Sequence, residues 1–336
     1  MLKGMNNGPT VIPIAGGKGG IGKTILAANT AVTLAYAGYR TIAIDLDLGG
    51  SNLHFQLGLK NRYAGIGDFI RAKKDELAQL AVATEIENLS FIPGDGRTPF
   101  MANINVADKV RLMEAITTLP ADYVVLDLGA GSSFNTLDFF RLAGTGIVVT
   151  TPEPTAIMNL MTFCKNLVYR AISVEGKSNE AVAELVRSFI ERPIEDQGAS
   201  LTTLFEEITK VDATISRKMR NCCSRIRPRL VFNRGNHPSQ LQVVASMEKL
   251  LYQRLGLKLD CLGFVFNDDT VLEAIKRRTI LIKTYPECLA SRCIVRLAKR
   301  VTRVWNGNII NGRGRLLKDT QKVYDSWVLG SDGQLA

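Results

Sequence analysis

Residues 10–24 read TVIPIAGGKGGIGKT: a short apolar run, a loop holding five glycines, and the start of a stretch rich in Ala and Leu. This order constrains the fold more than any other feature of the 336-residue chain. The apolar run has the length of a buried strand, and the stretch from Thr24 to about Ala37, stopped by Gly38, has the pattern of a helix. Between them the backbone must turn tightly and leave its amides free. A glycine-rich loop at a helix N-terminus does this without steric cost, and its amides and dipole favour a negatively charged ligand.

The same strand–loop–helix order recurs downstream. TIAIDLD (41–47), LSFIPG (89–94), DYVVLDLG (122–129), GIVVTTPEP (146–154), PRLVFNRG (228–235) and CLGFVFND (261–268) read as further strands, with helices expected near 66–81 and 106–118. Their apolar residues run nearly without interruption, as a parallel sheet covered on both faces requires. The expected fold class is therefore α/β: a doubly wound, mostly parallel sheet with helices on both faces and ligands at the strands' C-terminal ends. About sixty residues separate the helix after Pro154 from the strand at Pro228, long for one crossover. NEAVAELVRSFIERP and SLTTLFEEITKVDATISRKMRN place apolar residues at helical spacing there, so a helical insertion over 166–226 is expected on the sheet's edge. Residues 1–305 are expected to form one domain, and 306–336 a loosely attached C-terminal tail.

Gly17-x-x-x-x-Gly22-Lys23-Thr24 matches the Walker A pattern in its required strand–helix setting. The backbone at Gly17, Gly19, Gly20, Ile21 and Gly22, with Lys23, Thr24 and Ile25 opening the helix, is expected to wrap the phosphates of ATP. Lys23 would neutralise the β- and γ-phosphates, and the Thr24 hydroxyl would ligate Mg²⁺. Asp127 ends an apolar strand, where a carboxylate helps to hold Mg²⁺ through its water shell. Asp45 and Asp47 close another strand; one of them is expected to point with the apolar set, and one to orient water for attack on the γ-phosphate. Lys18, inside the loop, has no duty in this scheme.

GGKGGIGKT resembles the deviant Walker A loop of the MinD/ParA-type ATPases, which carries an extra lysine. DLDLGGSNLHFQLGL (45–59) resembles their switch I, DYVVLDLGAGSS (122–133) their Walker B and switch II, and TTPEPTAIMNLM (150–161) is similar to the MinD and FlhG branch. The likeness covers most of 10–163, resumes at 228–235 and again at 261–304. It implies a Mg-dependent ATPase with slow basal turnover, in which Lys18 reaches across an ATP-dependent homodimer to the partner's phosphates. It also implies that Asp47 is the carboxylate near the attacking water and a metal-site residue, with Lys18 and Lys23 as its catalytic companions. Asn233, with Arg234 beside it, takes the place of the family's base-reading asparagine, and Asp268 that of an acidic residue near the purine. The chain departs from the family at Phe266, where relatives have a proline, and only about nine residues precede the first strand, whereas FlhG proteins often carry an N-terminal activation segment.

The resemblance implies a spatial regulator, cytoplasmic or peripheral on the inner face of the cell membrane, that cycles on a membrane or a partner protein under an activating protein. Two further readings stay open: a ParA-like ATPase that binds DNA without sequence preference, and a purely protein-binding switch acting through the insertion. Charge bears on the choice. From residue 210 onward there are 24 Lys and Arg against 10 Asp and Glu, and before it 18 against 22. Arg217, Lys218, Arg220, Arg225, Arg227, Arg229 and Arg234 form a basic run suited to phosphates. SRCIVRLAKRVTRVWN (291–306) puts Ile294, Leu297, Val301, Val304 and Trp305 on one face of a basic amphipathic helix. That face fits either a membrane surface or the sheet.

Composition removes other classes. The six cysteines form no Cys-x-x-Cys, and none lies near 127–140, which argues against an iron–sulfur carrier and for reduced thiols. There is no room for the glutaminase domain of the related amidoligases. His54 and His237 are read as packing or capping residues. No apolar run reaches the length of a membrane span, and the N-terminus lacks a signal-peptide core.

Overall fold

The phosphate loop leaves the middle of the sheet. In the computed structural model, which describes residues 8–72, 76–94, 104–191, 200–307, 309 and 311–332, the strands are β1 (Thr10–Ala15), β2 (Thr41–Leu46), β3 (Val82–Ala83), β4 (Leu89–Ile92), β5 (Tyr123–Leu128), β6 (Thr145–Thr150), β7 (Arg227–Gly235) and β8 (Asp260–Phe266). They form one sheet in the order β3-β4-β2-β5-β1-β6-β7-β8, parallel except where β3 meets β4. β1 has β5 on one side and β6 on the other, so the chain crosses over it and opens a crevice at its C-terminal end.

The first helices along the chain are α1 (Lys23–Tyr36), α2 (Leu53–Gln56), α3 (Ile66–Ala72), α4 (Val106–Thr117) and α5 (Phe134–Arg141). From Ile25 to Ala35 every residue of α1 is buried, which is why it is built of Ala, Leu and Thr with no charge after Lys23. Its Asn29 makes two bonds inside the core: Nδ2 donates to the Ile25 carbonyl at 2.8 Å, and Oδ1 accepts the Ile282 amide at 3.1 Å. The helix expected over 66–81 is instead α3 followed by a 3₁₀ turn at Leu77–Leu80, with residues 73–75 outside the described ones.

The remaining helices are α6 (Pro154–Gly176), α7 (Glu180–Glu191), α8 (Leu201–Val211), α9 (Ala213–Arg225), α10 (Val244–Leu255), α11 (Thr270–Arg277), α12 (Leu281–Thr284), α13 (Leu289–Val304) and α14 (Gly312–Asp332). The insertion is helical, but residue 166 lies inside α6, which runs unbroken for 23 residues. The extra helices begin at α7. They pack on α6, on one another and on α10 rather than beyond the edge strand. α6 permits this because Leu160, Phe163, Cys164, Leu167, Val168, Ala171 and Ile172 give it apolar surface towards both the sheet and the insertion. Residues 192–199 of the expected insertion lie outside the described residues.

At the C-terminus one open reading closes and one expectation changes. The apolar face of 291–306 is spent inside: Ile294, Leu297, Val301 and Trp305 are buried, and α13 packs on α1 and β8. The tail is not loose. α14 lies against β8 with Leu316, Thr320 and Val323 buried, while Trp327 and Leu329 stay exposed. Covering β8 protects a sheet edge that would otherwise present unpaired backbone groups.

Candidate nucleotide site

Gly20 and Gly22 adopt φ of +75° and +87°, conformations that residues with a Cβ reach only under strain. A Cβ on Gly17 would collide with the Asn159 carbonyl on α6, and one on Gly22 with the side-chain amide of Asn233. The glycine spacing therefore serves two ends, a loop curved around a ligand and a close approach of α6 and β7 from behind. Three contacts fix the loop. Asn233 Nδ2 donates to the Ile21 carbonyl at 2.7 Å, Arg234 Nη1 to the Gly20 carbonyl at 3.4 Å, and the Gly131 amide to the Gly16 carbonyl at 3.0 Å. The last ties the loop after β5 to the phosphate loop.

Lys23 is buried at the start of α1, and burial lowers its pKa against the opposing pull of Asp127 and Asp47. Asp45 and Asp127 are opposite one another in the register of β2 and β5. Both are buried, but they differ in their bonds. Asp45 accepts the Asp47 amide at 3.2 Å and the Leu53 amide at 2.9 Å, so it shapes the turn after β2. Burial pushes its pKa up to about 7 despite those bonds. Asp127 has both carboxylate oxygens buried without a hydrogen-bond partner. Burial holds its pKa well above the usual carboxylate range and nearby Asp45 adds to this, while Thr24 and Lys23 pull the other way. β2 stops at Leu46, so Asp47 lies past the strand, half-buried. A Cβ on Gly129 would lie 3.2 Å from its Oδ1, which places Asp47 at the loop after β5.

An unpartnered buried carboxylate beside a threonine hydroxyl, a buried lysine and a glycine cradle is the donor set that a magnesium–nucleotide complex needs. The residues fit that group: Thr24 and Asp127 would hold the metal, with Asp47 at its rim, and the loop amides would hold the phosphates.

The residues expected around the base divide between the loop and the packing behind it. Asn233 has its amide nitrogen committed to the loop, leaving its oxygen for a base. Asp268 accepts the Thr270 amide on one oxygen and the Ala290 amide on the other, each at 3.0 Å, and so joins the starts of α11 and α13. Burial raises its pKa, but these bonds outweigh it and keep the carboxylate low. Phe266 is buried, packed against Phe264 and stacked on Tyr324 of α14 at 5.9 Å between ring centres. The basic run does not form one face. Arg229 is fully buried, donating to the carbonyls of Val304, Trp305 and Gly307, and Arg227 pairs with Asp260 at 3.2 Å. His237 caps the turn at Pro238–Val243, as a capping role requires.

Two residues to which the sequence reading gave no role matter here. Glu153, in TTPEP, lies 3.9 Å from Lys18 and accepts the Thr151 hydroxyl at 3.1 Å. An acid at the C-terminal end of the strand beside β1 was the signal for it. Asp138, on α5 just after the Gly131 loop, is gripped by Lys109 at 2.5 Å and Arg170 at 2.7 Å, with Arg141 at 3.6 Å. A carboxylate within the apolar pattern LDFF was its signal.

A family model described as the CobQ/CobB/MinD/ParA nucleotide binding domain matches residues 12–282, most of the chain and the whole phosphate loop with Asp45, Asp47 and Asp127. The chain belongs to the MinD/ParA family. Among curated relatives, the flagellum site-determining protein YlxH of Helicobacter pylori is 31% identical over 205 residues, covering 60% of this chain and 65% of that protein. The septum site-determining protein MinD of the same organism is 33% identical over 150 residues, covering 44% and 54%. The matched stretches thus span less than two thirds of these relatives' length. Among solved structures, MinD with Mg-ADP from Pyrococcus horikoshii superposes with a TM-score of 0.58 at 18% identity, covering 90% of this chain and 100% of that one, which shows a shared fold. These relatives set this MinD/ParA chain beside the MinD and flagellar branch. Among its described residues no helix is long and apolar enough to cross a membrane.

Proposed function

We propose that the protein is an ATP-binding and ATP-hydrolysing switch that dimerises in its ATP state and cycles on and off a membrane or partner protein, as a spatial regulator of the cell-division or flagellar-placement class. The observation that carries this reading is the contrast between two lysines of one loop. Lys23 is buried beside Asp127, whereas Lys18 is about half exposed and faces outward to Glu153. A cation held outside its own phosphate cradle is placed to act on a cradle in a second chain. Phe134 at the start of α5 and Met158 near the start of α6 are exposed and would give a second copy apolar surface to bury.

The chain's residues divide the work. The loop amides and Lys23 bind and orient the β- and γ-phosphates, and Thr24 and Asp127 would hold Mg²⁺, which when bound would supply charge neutralisation at the transferring phosphoryl group. Asp47 positions water in line with the γ-phosphate. Lys18 of a second copy would place positive charge where negative charge develops on the phosphate oxygens in the transition state, so turnover waits on pairing.

The YlxH and MinD names support a positioning role, and the exposed Trp327 and Leu329 on α14 offer a small apolar end for a surface contact. A DNA-cycling role draws on the positive C-terminal half, but Arg227 and Arg229 of the basic run are engaged inside the fold. Co-pelleting with anionic liposomes and with duplex DNA, in ATP and in ADP, tests the choice. ATP-dependent liposome pelleting is expected. ATP-dependent, salt-sensitive DNA pelleting without it would establish the partition reading, and equal pelleting in both nucleotides would remove the switch.

A further inference from the structure

The sheet's opposite end carries a second concave site. Where β6 and β7 begin, away from the phosphate loop, a groove of about 760 Å³ is lined by Arg141, Lys218, Arg225, Arg227, Glu175 and Ile226 among others. That volume suits a small organic molecule. Four cations face it against one carboxylate. Arg227 is paired with Asp260, and Arg141 stands 3.6 Å from Asp138, which already holds Lys109 and Arg170. Lys218 and Arg225 have no ion pair among the described residues, so the groove keeps a surplus of positive charge.

The helix ends at this groove are C-terminal, and free carbonyls there would repel an anion. Chain amides reach several of them. Leu142 and Gly144 amides donate to the Asp138 and Arg141 carbonyls of α5 at 3.2 and 3.0 Å, and the Ile226 amide to the Cys223 carbonyl of α9 at 3.1 Å. The Arg227 amide closes the connection on the Gly144 carbonyl at 2.9 Å. The positive side chains therefore dominate the field, with Leu142, Ala143 and Ile226 as an apolar wall.

We propose that this groove is a binding site, separate from the nucleotide site, for a phosphorylated small molecule carrying at least two negative charges. Guanidinium and ammonium groups supply the charge-assisted bonds that phosphate oxygens accept, and the apolar wall takes the organic body.

The test is calorimetric titration of inorganic pyrophosphate into protein already saturated with Mg-ADP, so that the phosphate loop is filled. One site per chain is expected. Lys218→Ala/Arg225→Ala, both exposed positions, should weaken it about tenfold or more and leave ADP affinity unchanged. Lys318→Ala/Lys322→Ala, which removes the same charge from the outer face of α14, should leave it intact. No binding to the ADP-saturated wild type would overturn the proposal. So would equal weakening in both variants, or displacement of the pyrophosphate by lower concentrations of duplex DNA.

Discussion

Asn233 donates its side-chain amide to the carbonyl of Ile21 at 2.7 Å, and so locks the end of β7 to the phosphate loop. Gly22 sits directly beneath that amide at a φ of +87°. Asn233→Ala should therefore leave a buried carbonyl unpartnered, at a cost of about 1–3 kcal/mol in stability, with weaker ADP binding. Gly22→Ala should abolish binding, and the double variant should not recover it, because removing the collision leaves the backbone strain. Calorimetric ADP titration of the three variants checks this; recovery in the double variant would show that only the collision mattered.

Asp127 is a buried carboxylate whose oxygens have no hydrogen-bond partner, and nearby Lys23 only partly offsets the cost of burying it. Asp127→Asn should raise the melting temperature of the nucleotide-free protein, by an amount equivalent to about 1–2 kcal/mol, and erase the extra stabilisation that Mg²⁺ adds to ADP. Thermal melts with ADP, with and without Mg²⁺, read both effects. An Mg²⁺ increment that survives the substitution would place the metal elsewhere.

Asp138 joins α5 to α4 and α6 through Lys109 and Arg170. Burial raises its pKa, but the bonds from Arg170 and Lys109 outweigh it and set the folded-state value below the ordinary one. A depressed carboxylate contributes stability that is complete above its unfolded pKa, near 4, and is lost as pH falls through the folded value. Asp138→Asn should cost about 3–5 kcal/mol at pH 7, since it strands buried cations, and the gap to wild type should narrow below pH 4. Urea melts from pH 3 to pH 8 measure it; a gap constant across that range would contradict the ion-pair account.

α14 is held by Leu316 and Val323 in the core and by Tyr324 on Phe266. Leu316→Ala should destabilise the whole protein by about 2–5 kcal/mol, in a single transition shared with the sheet. Separate melting of the C-terminal segment would mean that it is an independent tail.

The sheet and the phosphate site were legible because each is written locally: continuous apolar strands, and a loop whose glycines, Lys23, Thr24 and Asp127 stand at fixed offsets. What was not legible depends on long-range packing. The amphipathic patterns of α13 and α14 state that a face is buried but not against what, and β8 proved to be the partner of both. Arg229 read as one cation in a run, yet three backbone carbonyls near the end of α13 and the Trp305 ring hold it in the core. Strand pattern alone left Asp45 and Asp47 equivalent, and only the resemblance singled out Asp47; β2 stops at Leu46, which leaves Asp45 inside the sheet and Asp47 at the site.

The central claim is that Lys18 acts in a second chain while Lys23 acts in its own. Steady-state ATP turnover per chain, measured across a hundredfold range of protein concentration for wild type and Lys18→Ala, tests it most directly. Turnover per chain should rise with concentration in wild type, and Lys18→Ala should bind ATP with similar affinity yet lose about tenfold or more in turnover at every concentration. A rate per chain independent of concentration, and retained by Lys18→Ala, would contradict the account.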